Sequence, residues 1–417
     1  MERRRVVITG LGTINPLGHN VDEYFSALEA GESGVDFIKS FDCTNNKTKF
    51  AAEVKDYNPE NYFERKEARK LDLFTQFALI SADQAIADAR LEEANLDKNR
   101  VGVIWGAGIG GINAMYEEVT SFATSESGTP RFSPFLILKM LPNMAAGHIS
   151  LKYGYKGPGF STVSACSSST HSIVSAVDQI RLGRADVMVT GGSEGAVSLV
   201  GIGSFNSMMA LSQRNDDPKT ASRPYDKDRD GFVMGEGGGA IVIEELQHAL
   251  ARGAKIYAEI VGCGVSSDAY HVTAPEPEGE GAAYCMAMAL KDAELAPEAV
   301  DYINTHGTST PLGDVAELKG IAKCFGDHAY ELNISSTKSM TGHLLGGAGA
   351  IEVLAAVLAV TRDVVPPTIN IQEVDPAIDP RLNLTPNVAQ RRVVNCAMSN
   401  TFGFGGQNSS VIIKKYE

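Results

Sequence analysis

The sequence contains few cysteines, and their spacing does not pair them. Six cysteines are spread over 417 residues, and none belongs to a C-x-x-C pair. This spacing argues against a zinc site and against a disulfide framework, and it favours a reducing compartment. We therefore predict a cytoplasmic protein that holds no metal.

Long apolar runs and positive charge are also scarce. The apolar segment 351–360 contains Glu352 and is predicted to be a core helix rather than a membrane span. The basic start of the chain precedes an apolar run too short for a signal peptide, so residues 5–10 are predicted as a first strand. The net charge of −14 argues against a general nucleic-acid binder. We expect neither membrane nor nucleic acid as a partner.

Strand-like and helical patterns alternate along the chain. The strand-like runs are 5–10, 101–105, 187–190, 239–244, 257–261 and 302–304, and the first helical patterns are near 22–29 and 71–89. This alternation predicts an α/β protein with largely parallel sheets.

Two segments resemble each other weakly and suggest an internal duplication. Residues 6–12 (VVITGLG) and 258–264 (AEIVGCG) both end a strand-like run on glycines. We predict two similar halves, residues 1–253 and 254–417. No low-complexity segment or evident linker separates them, so we expect the halves to share one body.

One cysteine is placed where a strand turns into a helix. Cys166 lies in the segment 164–170 (SACSSST), after a short β-like run at 160–163. Apolar residues then recur at helical spacing up to Ile180, and Gly183 is a plausible stop. A thiol at a helix N-terminus faces unpaired N–H groups, which lower its pKa. The alternative is a small buried core residue.

Two polar segments of the second half each place a histidine after a strand-like run. His306 lies in 304–310 (NTHGTST), and His343 ends 335–343 (SSTKSMTGH). Ligands bind at strand ends in open α/β sheets, although either histidine alone could be structural. A further segment, 400–408, offers backbone amides that can serve as oxyanion donors.

Together these motifs resemble the elongating β-ketoacyl-acyl-carrier-protein synthases, and they are most similar to the synthase II group. The resemblance covers essentially the whole chain and rests on the cysteine segment 164–170, on 304–308, on 337–343, on 403–406 (GFGG), and on 223–226 with 229–233 (RPYD and RDGFV). It implies an α/β thiolase fold, in which two duplicated halves form five layers (αβαβα), and a homodimer.

The resemblance also implies a decarboxylative Claisen condensation. Cys166 would take an acyl group from the 4'-phosphopantetheine arm of acyl carrier protein, and malonyl-carrier would then lose CO2 and attack it. The N–H groups of Cys166 and Phe404 would stabilise the oxyanion, and neutral His306 and His343 would donate to the enolate. The substrates arrive on the carrier, so no bound cofactor is expected.

Other residues are matched to supporting roles by the same resemblance. Lys338 would orient the site, with Glu317 as a candidate partner; a purely structural buried ion pair is the alternative. Thr308 and Thr310 correspond to the hydroxyls that hold the pantetheine arm.

The acyl pocket is matched to three apolar residues. Ile109 and Phe205 would line it, and Ile109 favours synthase II because synthase I usually has a smaller residue there. Phe404 would gate the pocket between Gly403 and Gly405. Ile109 and Phe205 could equally be plain core residues.

An acidic carrier requires local positive charge on this acidic chain. Four basic residues match the docking patch of the family: Lys66, Arg69, Lys70 and Arg131. Ordinary solvated helix charges are the alternative for the first three. The chain departs from the family at Phe132 and Met209, where relatives often carry basic residues, and at Ser164, where threonine is commoner.

Two further motifs are rejected as ligand sites. Residues 106–111 (GAGIGG) match G-x-G-x-x-G after a strand, but no acidic residue ends a clear second strand to bind a ribose. Residues 226–231 begin like an EF-hand loop, but Glu236 falls one residue early and no helix precedes the loop.

Three other functions remain as alternatives. A ketosynthase of a dedicated polyketide or aryl-polyene pathway would have the same site and its own carrier. A non-catalytic chain-length partner would lack the cysteine, so Cys166, His306 and His343 speak against it. A thiol hydrolase would need an Asn or Asp beside a histidine, and the sequence shows none suitably placed.

Overall fold

The computed structural model describes residues 3–126, 128–129 and 131–417. Its strands are β1 (Val6–Ile14), β2 (Asp36–Phe37), β3 (Phe50–Ala51), β4 (Val101–Gly106), β5 (Gly159–Thr162), β6 (Val187–Glu194), β7 (Gly237–Glu245), β8 (Ala258–Ser267), β9 (Tyr302–Asn304), β10 (Asn333–Ser335), β11 (Val364–Val365), β12 (Gln390–Arg391), β13 (Cys396–Gly403) and β14 (Gln407–Lys415). Its α-helices are α1 (Val21–Ala30), α2 (Arg65–Ala68), α3 (Leu73–Asp88), α4 (Ile112–Ala123), α5 (Leu136–Met140), α6 (Met144–Tyr153), α7 (Ser168–Arg181), α8 (Leu199–Ser207), α9 (Leu246–Ala251), α10 (Glu280–Ala293), α11 (Pro311–Phe325), α12 (Lys338–Thr341) and α13 (Ala348–Arg362).

The main sheet has the strand order β10-β9-β13-β14-β8-β1-β7-β6-β4-β5. Outward from β1, the pairs β1–β7 and β7–β6 are antiparallel, and β6–β4 and β4–β5 are parallel. Outward from β8, the same sequence recurs in β14, β13, β9 and β10. The two halves of the sheet therefore repeat one topology and join edge to edge through β1 and β8.

The prediction of largely parallel sheets is wrong. The sheet is mixed, because β7 and β14 run against both of their neighbours. Only residues 404–406 separate β13 from β14, and so short a connection can join only antiparallel strands. The alternating sequence pattern locates strands and helices but does not give strand direction.

Alternating strand side chains build five layers. On β4, Val103 and Trp105 belong to a buried cluster with α3, whereas Ile104 belongs to a cluster with α7 and α13. On β9, Ile303 packs with α10 and α11, whereas Tyr302 faces the cluster that contains α13. Because successive strand residues point to opposite faces, α7 and α13 lie between the two halves of the sheet. The five-layered α/β arrangement is as predicted.

The segment Leu345–Arg362 is long and apolar enough to cross a membrane, but 89% of it is buried inside the protein. It contains α13, and Val353 and Val357 are among its fully buried residues. The prediction of a core helix here is confirmed. Its start lies against the start of α7, so the two central helices begin near the same point.

Candidate active site

Cys166 lies in a tight turn between a strand and a helix. A short 3-10 turn, Ala165–Ser167, follows β5 and runs directly into α7. Ala165 has φ = 49°, a strained value for a residue with a side chain. The Ser168 hydroxyl accepts the Ser164 N–H and donates to the Ala165 carbonyl, at 2.9 and 2.7 Å. The turn therefore holds Cys166 at the helix start, where the sequence predicts it.

The expectation that this position lowers the pKa of the thiol is wrong. Burial raises the pKa of Cys166 to about 11, although the Lys338 charge and the Phe404 N–H both favour the thiolate. Only 8% of the residue is exposed, so loss of hydration outweighs the favourable contacts. The sequence shows a helix N-terminus but not how deeply it is buried. Burial therefore favours the neutral thiol.

Both histidines reach this thiol from the other half of the molecule. His343 Nε2 lies 3.0 Å from Cys166 Sγ, and the His306 ring lies edge-on to the His343 ring at 5.2 Å. The pKa of each histidine is held well below its usual range, first by burial and then by the Lys338 charge. Two neutral imidazoles therefore face the sulfur. Each can accept or donate a proton according to its tautomer.

Lys338 has a different partner from the one predicted. Its Nζ forms a buried ion pair with Glu352 of α13, and both side chains are 1% exposed. Glu317 instead accepts the N–H groups of His306 and Gly307, each at 2.8 Å. The candidate pairing of Lys338 with Glu317 is thus wrong. Glu317 shapes the backbone that carries His306, and Lys338 supplies positive charge beside both histidines.

The turn after β13 brings a backbone donor to the sulfur. The Phe404 N–H acts on Cys166 as a backbone donor and lowers the pKa of its thiol, which favours the charged form. The Ser167 hydroxyl reaches the carbonyls of Thr401 and Gln407 at 3.0 and 2.7 Å. These contacts tie the β13–β14 hairpin to the cysteine turn. An oxyanion formed at this sulfur would meet that N–H.

One cavity of about 580 Å³ joins the predicted substrate residues. Its wall includes all eight residues predicted to touch substrate: Cys166, His306, His343, Phe404, Thr308, Thr310, Ile109 and Phe205. Met209 and Leu312, also in the wall, are 80% and 68% exposed, so the cavity reaches the surface. Lys338 lies behind it, buried with Glu352.

Thr308 and Thr310 lie on the loop between β9 and α11. Their hydroxyls are 3.0 Å apart. Buried Arg229 anchors the loop by donating to the carbonyls of Thr310 and Pro311 and by pairing with Asp314. Through Arg229, the segment 229–233 therefore holds the loop that carries Thr308 and Thr310.

Asp226, the first residue of the rejected calcium-like loop, is committed to other partners. It pairs with buried Arg223 at 3.0 Å and accepts the backbone N–H groups of Gln372 and Glu373. This contact set leaves no open carboxylate cluster of the kind calcium needs.

The side chains that could bind a metal ion are those of three of the predicted catalytic residues. Within the described ranges, the only cluster of such side chains is Cys166, His306 and His343, whose donor atoms all lie within 4.8 Å of one another. Sulfur and imidazole nitrogen are donors that zinc accepts.

The basic residues predicted for docking lie away from this buried site. Lys66 belongs to α2, a single turn, and Arg69 and Lys70 follow it; all three are exposed. Lys70 Nζ lies 5.7 Å from the centre of the Phe135 ring. Arg131, four residues before Phe135, is also exposed. Among the described residues, none of these four cations forms an ion pair.

The roles of three buried carboxylates near the site are not predicted from the sequence: those of Glu194, Glu317 and Glu352. Glu352 is an acidic residue inside an apolar helix pattern, which was a usable signal for a buried charge and its partner. Glu194 ends β6 after two glycines and accepts four backbone N–H groups. The sequence gives no signal for that, because its donors lie far along the chain.

Comparisons with known proteins agree with this geometry. Family models described as "Beta-ketoacyl synthase, N-terminal domain" and "Beta-ketoacyl synthase, C-terminal domain" match residues 3–249 and 257–372. The chain is similar to "3-oxoacyl-[acyl-carrier-protein] synthase 2" of Coxiella burnetii, with 50% identity over 100% of this chain and 99% of that protein.

Solved structures give the same result. A β-ketoacyl synthase from Burkholderia phymatum is 36% identical, with a TM-score of 0.91 over 99% of this chain and 100% of that one. A type II PKS ketosynthase system, solved with its acyl-carrier protein, is 34% identical, with a TM-score of 0.89 over 100% of both chains. These matches confirm the predicted fold class.

Proposed function

This chain belongs to the β-ketoacyl synthase family, and we propose that it elongates acyl chains on acyl carrier protein in fatty-acid synthesis. The reaction is a decarboxylative condensation of an acyl-enzyme with malonyl-carrier, which gives 3-oxoacyl-carrier and CO2. The observation that carries the proposal is the contact of a buried cysteine with one of two neutral histidines in the wall of a surface-connected cavity.

In the first stage Cys166 is the nucleophile. His343 Nε2, 3.0 Å from the sulfur, takes the thiol proton as sulfur attacks the thioester carbonyl. The N–H groups of Cys166 and Phe404 bind the oxyanion. The pantetheine thiolate then leaves with one proton of the His343 imidazolium, which returns to its neutral form. One thioester is broken and another is formed.

In the second stage the histidines act as hydrogen-bond donors. Malonyl-carrier loses CO2, and the enolate oxygen that develops accepts hydrogen bonds from His306 and His343. Neutral imidazoles suit this role, and burial and Lys338 keep them neutral. The carbanion attacks the acyl-Cys166 carbonyl and forms the new carbon–carbon bond while the bond from that carbonyl to sulfur breaks. The released thiolate takes a proton from solvent water, which reaches the cavity from the surface.

We assign different parts of the cavity wall to the two ends of the substrate. We assign the pantetheine arm to Thr308 and Thr310, whose hydroxyls lie next to each other. We assign the acyl chain to the side with Ile109 and Phe205, where Phe232 packs edge-on against Phe205 at 5.3 Å. Phe404, half-buried in the β13–β14 turn, would move to admit the chain. No bound cofactor takes part in these steps.

Lys66, Arg69, Lys70 and Arg131 form the docking patch that we propose for an acidic carrier. Supporting this, they are exposed cations without ion-pair partners among the described residues, on a chain of net charge −14. We also propose a cytoplasmic location, which is consistent with six free cysteines.

A homodimer is proposed from the exposed end of the main sheet. Strand β10 at one edge is buried, but β5 at the other edge exposes Phe160, and Val163 beside it is 59% exposed. Leu141 is also exposed, and the carbonyl of the next residue, Pro142, accepts the Ser161 hydroxyl of β5. Unpaired apolar edges pair readily with a second copy. Light scattering should give twice the chain mass, and Phe160→Lys with Val163→Lys should reduce it to one.

The test of the proposed function is a reconstituted condensation. Acyl-carrier and malonyl-carrier should together give 3-oxoacyl-carrier and CO2. Mass spectrometry should find the intermediate acyl group on Cys166, and Cys166→Ala should lose acyl transfer. Condensation by that variant, or no CO2 release with any of several acyl-carriers, would contradict the proposal. The second result would favour the chain-length partner.

A dedicated polyketide pathway is the second candidate. The structural neighbour from a type II PKS system supports it at 34% identity, against 50% for the 3-oxoacyl-carrier synthase 2 of Coxiella burnetii. Competition between a fatty-acid carrier and a polyketide carrier for acylation of Cys166 distinguishes the two.

A further inference from the structure

The glycine-rich loop after β4 has the N–H pattern of an anion-binding loop, and its anion is part of the protein. The N–H groups of Gly108, Ile109 and Gly110 all point at the carboxylate of Glu194, at 2.8, 3.2 and 3.0 Å. Successive N–H groups in such loops bind phosphate in other proteins. Glu194 therefore occupies the position that a nucleotide phosphate would need.

The same carboxylate reaches a second loop. Gly346 N–H donates to Glu194 Oε2 at 3.0 Å, three residues after His343. A Cβ added at Gly108 would lie 2.9 Å from that oxygen, and one at Gly346 would lie 2.7 Å from it. Both positions require glycine so that the two loops can close on one carboxylate.

Glu194 holds two loops that line different parts of the cavity. Ile109, in the middle of the first loop, lines the cavity on the proposed acyl side, and Leu345, beside Gly346, lines it near His343. Glu194 itself is fully buried and has no cationic partner among the described residues. Burial raises its pKa to about 7, and its four hydrogen bonds oppose that rise.

Resting on the proposed function, we propose that Glu194 is a positioning residue that determines acyl-chain selectivity. By fixing the main chain on both sides of Ile109, it sets the position at which the Ile109 side chain enters the pocket. By accepting the Gly346 N–H, it holds the pocket wall at Leu345 in a fixed position relative to His343. It touches neither substrate nor the reacting atoms.

The test compares Glu194→Gln with the matched variant Glu244→Gln. An amide keeps one acceptor oxygen but turns an NH2 group toward backbone donors, so the loop should move. Glu244 is also a fully buried carboxylate, but it bonds Thr9, His248 and Arg252 away from the cavity. Acylation of Cys166 by butanoyl-carrier and by dodecanoyl-carrier is measured as kcat/KM for each variant.

We expect the dodecanoyl-to-butanoyl ratio to change about tenfold in Glu194→Gln and less than about twofold in Glu244→Gln. A wild-type ratio in folded Glu194→Gln, with only lower thermal stability, would overturn the inference and leave the proposed function intact. Wild-type protein that no acyl-carrier acylates would instead overturn the proposed function.

Amide hydrogen exchange of the wild-type protein keeps the inference testable if Glu194→Gln does not fold. The amides of Gly108, Ile109, Gly110 and Gly346 share one acceptor, so they should be protected and should open together. Rapid exchange of residues 108–110 beside a protected Gly346 would refute the shared anchor.

Discussion

The starts of the two central helices show how the halves of the molecule differ. Each helix follows a short 3-10 turn whose first residue has a positive φ, 49° at Ala165 and 48° at Leu345. The next residue is Cys166 before α7 but Gly346 before α13. The same backbone turn therefore carries the nucleophile in one half and a close approach between loops in the other.

The segment leading into each turn differs as well. Between β5 and its turn the chain has only residues 163–164, whereas between β10 and its turn it has residues 336–344. That longer segment carries Lys338 and His343. The duplicated topology brings the two helix starts to the same place. The longer segment of the second half then adds the Lys338 charge and the His343 imidazole.

The loops after β4 and β9 show what the halves keep in common. In the first, Glu194 accepts the N–H groups of residues 108–110; in the second, Glu317 accepts those of His306 and Gly307. Burial raises the pKa of each carboxyl to about 7. A buried carboxylate thus fixes the strand-end loop in both halves, although the two come from different elements.

The largest effect should come from breaking the buried ion pair of Lys338 with Glu352 in the second half. Lys338→Met leaves Glu352 buried without its cation. The first half has no carboxylate at the matching position, because Ser172 of α7 corresponds to Glu352 of α13 when the two 3-10 turns are superposed in sequence. We expect the free energy of unfolding to fall by about 3–5 kcal/mol, measured by chemical denaturation. Lys319→Met, which breaks the exposed pair with Glu278, should cost less than about 1 kcal/mol. Equal costs would contradict the assignment.

The two histidine variants should differ in the first stage, because His343 serves both stages and His306 only the second. His343→Ala removes the base beside the sulfur and should slow acylation of Cys166 by about 10²–10³-fold. His306→Ala should leave acylation much less affected and reduce CO2 release from malonyl-carrier by a similar factor. Quenched-flow mass spectrometry measures the first rate and labelled CO2 the second. Equal effects of both variants on both stages would argue against this division.

The raised pKa of Cys166 should be visible in its alkylation. Because the thiolate is the reactive form and the pKa is about 11, the rate with iodoacetamide should rise about tenfold per pH unit from neutral pH toward pH 10. A plateau near neutral pH would mean that the helix N-terminus prevails over burial. Cys166→Ala corrects for labelling of the other cysteines.

The same shift has a consequence for stability. The folded-state pKa of Cys166 lies above that of the unfolded chain, so its contribution to stability is present below the unfolded value. That contribution is lost as the pH rises through about 11. For His306 and His343 the sign is opposite, because their folded pKa values are lowered; their contribution is lost as the pH falls below the usual histidine range.

The smallest effect should come from the docking patch. Replacing Lys66, Arg69 and Lys70 by alanine should raise KM for acyl-carrier several-fold, by about 1 kcal/mol, and should weaken its dependence on salt. The kcat should hardly change. Arg184→Ala removes an exposed cation at the far end of α7 and should alter neither quantity. A loss of kcat alone would show that the patch acts on the site rather than on docking.

The sequence was most informative where chemistry and local structure coincide. Cys166, His306 and His343 were found from polar segments that follow strand-like runs, and the structure brings all three to one cavity. The strand at 302–304 is observed as β9 with the predicted bounds. Local signals of this kind depend only on neighbouring residues, so they survive without tertiary information.

It was least informative where a property depends on distant partners. The Glu352 partner of Lys338, the antiparallel direction of β7 and the raised pKa of Cys166 all arise from contacts across the chain or from burial depth. Neither periodicity nor motif spacing contains these quantities. The glycine-rich segment 106–111 likewise gave a correct anion-loop pattern without its anion, Glu194.

By itself, the sequence determined the α/β class, the strand-to-helix position of the nucleophile and the kinds of side chain available for catalysis, because these follow from local spacing and side-chain chemistry. Only the tertiary structure decided which carboxylate meets which donor and which protonation state the buried groups hold. Those outcomes depend on hydration lost and on charges brought close, and folding alone fixes both.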